Sequence, residues 1–376
     1  MTEHSENSSL IATVKYCKIG NVILESTKQL RDVTIAYETY GILNEKKNNA
    51  ILITHGFSGD AHAAGFHEHE AKPGWWSNMI GPGKAFDTFK YFVVCSNVLG
   101  GCAGSTGPSS INPNSNKPYA LDFPTITIAD MVHCQKKLID FLEIDKLLAV
   151  AGGSMGGMQA LQWAVSYPEK ICSAIPISTT MKHYPQQIAF NEVARQSIMA
   201  DISWNNGNYY NQPHPQRGLA IARMIGHITY MSDKSMQEKF SRNLKDKNHT
   251  FKFTSDFEVE GYLKYRSDTF VKRFDANSYL YITKAMDYFD VSGNKFLPNA
   301  KNKDIKFLVI SFSSDWLYPP YQSENIVKQL TFKGYNTTYV EIKSTYGHDS
   351  FLVEIKNQTK LVIHFLEKVS KEVLYD

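Results

Sequence analysis

The feature that most constrains this chain is a serine flanked by glycines, between an apolar run and a helical one. Residues 146–151 form an apolar run of strand length, and residues 158–165 have helical composition and spacing. Between them, Gly152, Ser154 and Gly156 form the pattern G-x-S-x-G. A sharp turn from strand to helix leaves no room for flanking side chains, so glycine there lets Ser154 occupy a strained turn with its hydroxyl exposed. The pattern predicts a nucleophile elbow.

A nucleophilic serine needs a base, and the base needs an acid that orients it. Asp315 follows a buried strand predicted over residues 305–312, and His348 follows a second strand predicted over 338–343. Both residues are therefore expected at the carboxyl ends of strands, where doubly wound sheets place their active sites. The chain order serine, aspartate, histidine predicts a catalytic triad of Ser154, Asp315 and His348.

A serine nucleophile also needs backbone donors for the oxyanion that forms during acyl transfer. One donor is expected from the amide of Met155, which follows the serine. The other is expected from an earlier junction, where a strand predicted over residues 50–54 runs into His55-Gly56-Phe57. We therefore assign the second donor to the amide of Phe57. The set predicts acyl transfer through a serine ester.

Composition narrows the class of protein. The chain has 376 residues, of which 43% are hydrophobic, and a formal net charge of +3. That length suits one α/β core with an insertion. Scattered lysines and arginines with so small a net charge favour neither a nucleic-acid partner nor an anionic membrane. Five cysteines without C-x-x-C spacing are typical of reduced thiols rather than of a disulfide framework.

The first residues and the apolar runs of the chain bear on its location in the cell. The first seven residues are polar and lack the apolar segment of a signal peptide. No apolar run approaches the roughly 18 residues that a membrane span requires. We therefore expect a soluble, cytoplasmic protein.

A long loop predicted over residues 55–89 raises the question of a metal. It contains three histidines close together, His62, His67 and His69. Their spacing has no partner cluster elsewhere in the sequence, and no H-E-x-x-H or EF-hand pattern is present. We therefore expect a solvated polar loop and no metal site.

The order of the predicted elements indicates an α/β fold with a mostly parallel central sheet flanked by helices. Residues 10–40 alternate in polarity and predict antiparallel opening strands, whereas residues 180–302 are mostly helical with no persistent strand periodicity. We interpret that helical segment as a lid inserted over the catalytic face. The predicted domains are therefore a first part of the core over 1–179, the lid over 180–302, and a second part of the core over 303–376.

Longer motifs indicate a family. They are GDAH (59–62), GWW (74–76), IGPGK (80–84), CSNVLGGC (95–102), GGSMGGMQ (152–159), NEV (191–193), ARMIGHITY (222–230), RFDANSYL (273–280), SDWLYPP (314–320) and GHD (347–349). Together they resemble the homoserine O-acyltransferase family of the α/β-hydrolase superfamily. The resemblance covers nearly the whole chain, so it is more specific than the elbow alone.

The resemblance implies ping-pong transfer of an acetyl group from acetyl-CoA, as co-substrate, to L-homoserine, the activating step toward methionine. No permanently bound cofactor is implied. His348 would take the proton of Ser154 while Asp315 holds the imidazole. Arg223 in the lid would bind the homoserine carboxylate, and Asp349 would bind its ammonium group. Members of the family commonly form homodimers through the helical lid, so the resemblance also implies a homodimer here. The lid contains aromatic side chains that could be exposed, such as those of Tyr209, Tyr210 and Tyr265.

The acyl donor is less constrained than the reaction. Family members often have Ala-Leu where this chain has Gly56-Phe57, close to the acyl group. The small residues Ala61, Ala63 and Ala64 favour acetyl over succinyl. A homoserine O-succinyltransferase on the same scaffold is the alternative for the donor.

Two other classes of function remain open from the sequence. A serine esterase or thioesterase would use the same triad without an amino-acid acceptor. A catalytically silent binding protein would keep only the scaffold, and the complete set of Ser154, Asp315 and His348 argues against it.

Overall fold

An eight-stranded sheet organises the structure, a computed structural model that describes residues 10–298 and 305–375. Its strands are β1 (Lys15–Ile23), β2 (Gln29–Tyr40), β3 (Ala50–Thr54), β4 (Phe92–Ser96), β5 (Ala149–Gly153), β6 (Ser173–Ile177), β7 (Lys306–Phe312) and β8 (Asn336–Ile342). Their order in the sheet is β1-β2-β4-β3-β5-β6-β7-β8. The first two pairings are antiparallel and the others are parallel. The predicted sheet and its antiparallel opening are confirmed.

Helices cover both faces of this sheet and also form a separate segment between β6 and β7. The α-helices of the described residues are α1 (Ile128–Phe141), α2 (Met155–Ser166), α3 (Pro185–Met199), α4 (Gln216–Tyr230), α5 (Asp233–Phe240), α6 (Glu258–Val271), α7 (Ala276–Tyr288), α8 (Pro320–Phe332), α9 (Ser350–Val353) and α10 (Ile355–Tyr375). Buried side chains of α1, α2 and α8 join the hydrophobic cluster on one face, and those of α10 join the cluster on the other. The central strands β3 and β5 are buried along their whole length, which is why they appear in the sequence as unbroken apolar runs.

The helix before the elbow shows how local sequence fixes an element. Thr127 caps α1, where its side chain accepts a hydrogen bond from the amide of Asp130 at 3.2 Å. The Asp130 carboxylate in turn accepts one from the amide of Thr127 at 2.9 Å. This capping box satisfies two amides that the first turn leaves unpaired, so it fixes the start of α1.

Five helices, α3 to α7, lie between β6 and β7 and form the helical lid. The sequence predicts a mostly helical segment here, but α5 and α6 bury few side chains, so the sequence gives little sign of these two helices. One expectation about this region is wrong. Tyr209 is fully buried, because its hydroxyl donates to Asp275 at 2.6 Å, whereas Tyr265 is exposed. The expected boundary between residues 302 and 303 lies outside the described residues, and the division at 179 stays a prediction.

Two properties of the described chain bear on the expectations from composition. No disulfide bond forms among the described residues, all five cysteines included. Within residues 10–298 and 305–375, no helix combines the length and apolar character that crossing a bilayer demands. The polar start of the chain, residues 1–7, lies outside the described part.

Candidate active site

Ser154 lies at the sharp turn between β5 and α2. Its backbone has φ 60° and ψ −124°, a left-handed conformation that costs a non-glycine residue strain. A Cβ atom added to Gly152 or Gly156 would collide with the Thr54 carbonyl of β3. Glycine is therefore required on both sides of Ser154, for the steric reason that the sequence pattern suggests.

Asp315 and His348 form a buried hydrogen-bonded pair at the ends of β7 and β8. The Nδ1 atom of His348 lies 2.8 Å from Oδ2 of Asp315. The other carboxylate oxygen accepts hydrogen bonds from the amides of Leu317 at 3.0 Å and Tyr318 at 2.8 Å. Both carboxylate oxygens are thus fixed, and Asp315 orients the imidazole so that Nε2 is left for other chemistry.

Ser154 and His348 line one cavity of ≈ 290 Å³ under the lid. Among the described residues, no hydrogen bond joins their side chains. Such bonds are often long before substrate binds and tighten in the complex. The structure therefore brings all three residues of the predicted triad to one site.

The junction after β3 lies directly against the serine. A Cβ atom added to Gly56 would be 3.6 Å from the Gly153 carbonyl and 3.9 Å from Cβ of Ser154. In the described chain, no acceptor is hydrogen-bonded to the amide of Phe57. The Phe57 ring packs edge-on against Tyr279 of α7 at a centroid distance of 4.7 Å, which fixes this junction beneath the lid.

Charged side chains in the lining of the same cavity, Arg223 and Asp349 among them, form no salt bridge within the described residues. Arg223 of α4 donates from Nη1 to the Ser58 hydroxyl at 3.2 Å, and its guanidinium lies 4.5 Å from the centroid of the Phe270 ring. Its Nε atom is buried without a hydrogen-bond partner. Asp349, beside His348, forms no salt bridge with any described residue. The cavity lining also includes Arg266 and Arg273, which likewise form no salt bridge with a described residue, so Asp349 is the one carboxylate among three arginines in this lining.

Burial and neighbouring cations shape the electrostatics of this cavity. Burial raises the pKa of Asp349 above its ordinary value, against the opposing effect of His348, Arg223 and Arg266. Burial together with Arg223, Arg266 and Lys239 lowers the pKa of His227 to about 3, so that imidazole is neutral at physiological pH. The sequence analysis did not single out His227 or Arg266, since α6 shows no motif and His227 stands within a long one.

A smaller cavity of ≈ 50 Å³ borders Ser154 on its inner side. Its lining includes Phe57, Tyr279, His183 and Tyr318. Ala61, Ala63 and Ala64 are buried, and they are absent from the lining of both cavities described above. These three alanines therefore do not contact the acyl site directly, and their small size does not shape it.

The histidines of the long loop have a partner that sequence reasoning missed. Buried Glu38 of β2 lies 3.0 Å from Nδ1 of His62 and 2.7 Å from Nε2 of His67. Among the described residues, these three bring potential metal-ligand atoms within 4.8 Å of one another. The Tyr40 hydroxyl also donates to Glu38, at 2.7 Å.

The arrangement fits a hydrogen-bond network better than an ion. The rings of His62 and His67 are 3.8 Å apart, centroid to centroid. Two imidazoles on one zinc ion, each with Zn–N of about 2.1 Å, have centroids roughly 5 Å apart. The carboxylate oxygens of Glu38 already accept from both rings. The absence of a metal stays a prediction, but the view that these histidines have no partner is wrong.

Comparison with known proteins assigns the fold. The model of the α/β hydrolase fold family matches residues 49–355. A homoserine O-acetyltransferase of Methanohalobium evestigatum is 60% identical over 366 residues, which are 94% of this chain and 75% of that protein. These matches cover the elbow, the lid and both loops of the Asp315–His348 pair.

Two solved structures share the architecture. A crystal structure of homoserine O-acetyltransferase from Bacillus anthracis is 31% identical, has a TM-score of 0.87, and aligns over 95% of this chain and 98% of its own. The crystal structure of esterase E22 is 32% identical, has a TM-score of 0.86, and aligns over 94% and 100%. On fold, site geometry and sequence identity, this chain belongs to the homoserine O-acetyltransferase family of α/β hydrolases.

Proposed function

We propose that this chain moves the acetyl group of acetyl-CoA to the hydroxyl of L-homoserine, giving O-acetyl-L-homoserine for methionine biosynthesis. The reaction is ping-pong and passes through an acyl ester of Ser154. One observation carries the proposal: the Asp315–His348 pair and the elbow serine share a cavity with Arg223 and Asp349, whose charges have no partner among the described residues. The names of the relatives supply the acceptor and the acyl group.

The first half-reaction acylates the serine. His348 accepts the proton of Ser154 through Nε2 as the serine oxygen attacks the thioester carbonyl. The amides of Met155 and Phe57 donate to the oxyanion of the tetrahedral intermediate, a contribution often worth about 3 kcal/mol per donor. The carbon–sulfur bond then breaks, and His348 returns the proton to the departing thiolate.

The second half-reaction transfers the acetyl group. Homoserine binds with its carboxylate on Arg223 and its ammonium group on Asp349, as two charge-assisted contacts. Burial already raises the pKa of Asp349, so its charged form is costly until a cation arrives. His348 then takes the proton of the homoserine hydroxyl, which attacks the acyl-serine, and returns it to Ser154.

Transfer competes with hydrolysis by water. The lid covers the cavity with α4 and α6, and Tyr230 and Tyr262 line it beside the charged groups. A bound homoserine would fill this space and hold its hydroxyl against the ester, which favours the acceptor over water.

A serine esterase is the second candidate, favoured by the likeness to esterase E22 over nearly the whole chain. The same triad would then pass the acyl group to water. Succinyl-CoA is the alternative donor. Arg223 and Asp349 favour the amino-acid acceptor, because a cation and an anion without salt-bridge partners match the carboxylate and the ammonium group of an amino acid.

We also propose the homodimer that the family resemblance implies. Apolar side chains of the lid are exposed, among them Ile202 at 95%, Val193 at 57% and Ile221 at 49%. Multi-angle light scattering on the purified chain tests this: the mass of two chains is expected, and the mass of one would contradict it.

The decisive experiment measures thiol release from acetyl-CoA and from succinyl-CoA, each with and without L-homoserine, in wild type and in Ser154→Ala. We expect release from acetyl-CoA that depends on homoserine and is lost in the variant. Release from succinyl-CoA alone would keep the mechanism and overturn the donor. Equal release without homoserine would identify a hydrolase.

A further inference from the structure

A second buried histidine–aspartate pair lies on the other side of Ser154. His183 follows β6, and its Nδ1 atom is 3.0 Å from Oδ1 of Asp287 in α7. Its Nε2 atom is 2.8 Å from the hydroxyl of Tyr318. Tyr318 and Ser154 line the same small cavity of ≈ 50 Å³, so the tyrosine side chain lies beside the serine. The proposed mechanism uses none of the side chains of His183, Asp287 and Tyr318.

We propose that Tyr318 is a positioning residue for the nucleophile Ser154. Asp287, acting through His183, makes the Tyr318 hydroxyl donate to His183 and so leaves the tyrosine oxygen as an acceptor for the serine. This inference rests on the proposed function in one respect, since it takes Ser154 as the nucleophile.

The charge of Asp287 fixes the start of the chain of hydrogen bonds. Its carboxylate accepts from Nη1 of Arg195 at 2.7 Å and from the Asn191 amide at 2.8 Å. Burial alone would raise the pKa of Asp287, but these bonds and the one from His183 outweigh it and hold the pKa below its ordinary value. Asp287 is therefore an ionised acceptor at neutral pH.

An ionised acceptor selects the tautomer of His183. Burial lowers the pKa of His183 despite the opposing effect of Asp287, so the ring is neutral and carries a single hydrogen. That hydrogen is on Nδ1, because the Asp287 carboxylate can only accept. Nε2 then has a lone pair and accepts from the Tyr318 hydroxyl.

The consequence falls on Ser154. The Tyr318 hydroxyl donates its hydrogen to His183. The oxygen of that hydroxyl therefore keeps a lone pair that can accept a hydrogen bond from Ser154. In the proposed arrangement, the Ser154 hydroxyl has two acceptors within its own cavities, Nε2 of His348 and the Tyr318 oxygen. Tyr318 also touches the triad elsewhere: its ring is 5.0 Å from that of His348, and its amide donates to Asp315 at 2.8 Å. One residue thus fixes the serine hydroxyl relative to the histidine that deprotonates it.

The first test is Tyr318→Phe, which removes only the hydroxyl and keeps the ring and the amide. The acylation rate of Ser154 is read from the burst with p-nitrophenyl acetate and from thiol release with acetyl-CoA. We expect roughly tenfold slower acylation, with KM for acetyl-CoA and Tm close to wild type. Tyr339→Phe is the matched control, because its hydroxyl is bonded to Ser311 instead.

The second test separates positioning from packing through a double-mutant cycle with His183→Gln. If His183 acts only through Tyr318, its replacement slows acylation in wild type but adds nothing in the Tyr318→Phe background. Effects that multiply in the double variant, or a Tyr318→Phe enzyme that acylates at the wild-type rate, would overturn the inference. Should Ser154→Ala keep full activity, the proposed function itself would fail, which is a distinguishable outcome.

Discussion

Two buried histidine–aspartate pairs flank the same serine, and they differ in what surrounds them. Asp315 holds His348 so that Nε2 is left for the serine, and amides are the other donors to its carboxylate. Asp287 holds His183, but Arg195 also binds that carboxylate and Tyr318 occupies Nε2. In the proposed mechanism only His348 acts as a general base, because its Nε2 atom is left for a substrate proton whereas that of His183 is bonded to Tyr318.

The largest effect is expected from the histidines themselves. His348→Gln should lower kcat by at least about 10⁴-fold, because no other group can take the serine proton. His183→Gln should cost only about tenfold. Steady-state thiol release from acetyl-CoA with L-homoserine measures both, and equal losses in the two variants would remove the distinction.

Replacing the two aspartates should separate activity from stability. Asp315→Asn should lower kcat by about 10⁴-fold with little change in Tm, since it disturbs the tautomer of His348. Asp287→Asn leaves buried Arg195 without its interior anion, which should cost about 3–5 kcal/mol of unfolding free energy. Urea unfolding beside the activity assay checks this pattern. An Asp287→Asn protein as stable as wild type would contradict it.

The lid should affect the acceptor and leave the acylation step alone. Arg223→Gln removes the cation proposed for the homoserine carboxylate, so KM for homoserine should rise by about 10- to 100-fold. The burst with p-nitrophenyl acetate should stay unchanged. Arg217→Gln in the same helix is the control. A slower burst in Arg223→Gln would place this arginine in the chemistry of the first half-reaction.

A third histidine–carboxylate group extends the comparison to stability. Burial alone would raise the pKa of Glu38, but hydrogen bonds from His62, His67 and Tyr40 lower it below its ordinary value. Burial alone would lower the pKa of His62, but the hydrogen bond with Glu38 and the charge of that carboxylate raise it above its ordinary value. A lowered carboxylate pKa gives stability that is lost as pH falls through it, and a raised histidine pKa gives stability that is lost as pH rises through it.

Both contributions coexist between about pH 4.5 and pH 6.5. The Tm difference between wild type and Glu38→Gln should therefore be largest in this window and smaller at pH 8.5. His69→Gln, at an exposed position of the same loop, should show no such dependence. A difference that is constant with pH, or a bound metal detected by mass spectrometry, would contradict a network held by protons.

Much of the fold and the site could be predicted because the signals are local. The strand, elbow and helix around Ser154 lie within a short stretch, and chain order together with strand-end placement indicated Asp315 and His348. The lid was harder, since α5 and α6 bury little and leave no apolar stripe. Tyr209 was expected at the surface, because the sequence gives no sign that Asp275 would bind its hydroxyl in the interior.

The sequence by itself determined the α/β class and the elbow glycines, and it predicted the triad, because backbone sterics and hydrophobic periodicity act between near neighbours. Only the tertiary structure decided which long-range contacts form. Glu38 of β2 meets His62 of the long loop, and Asp287 of α7 meets His183, which follows β6. A buried charge is stable only beside a partner, but nothing in the order of residues says which distant side chain that partner will be.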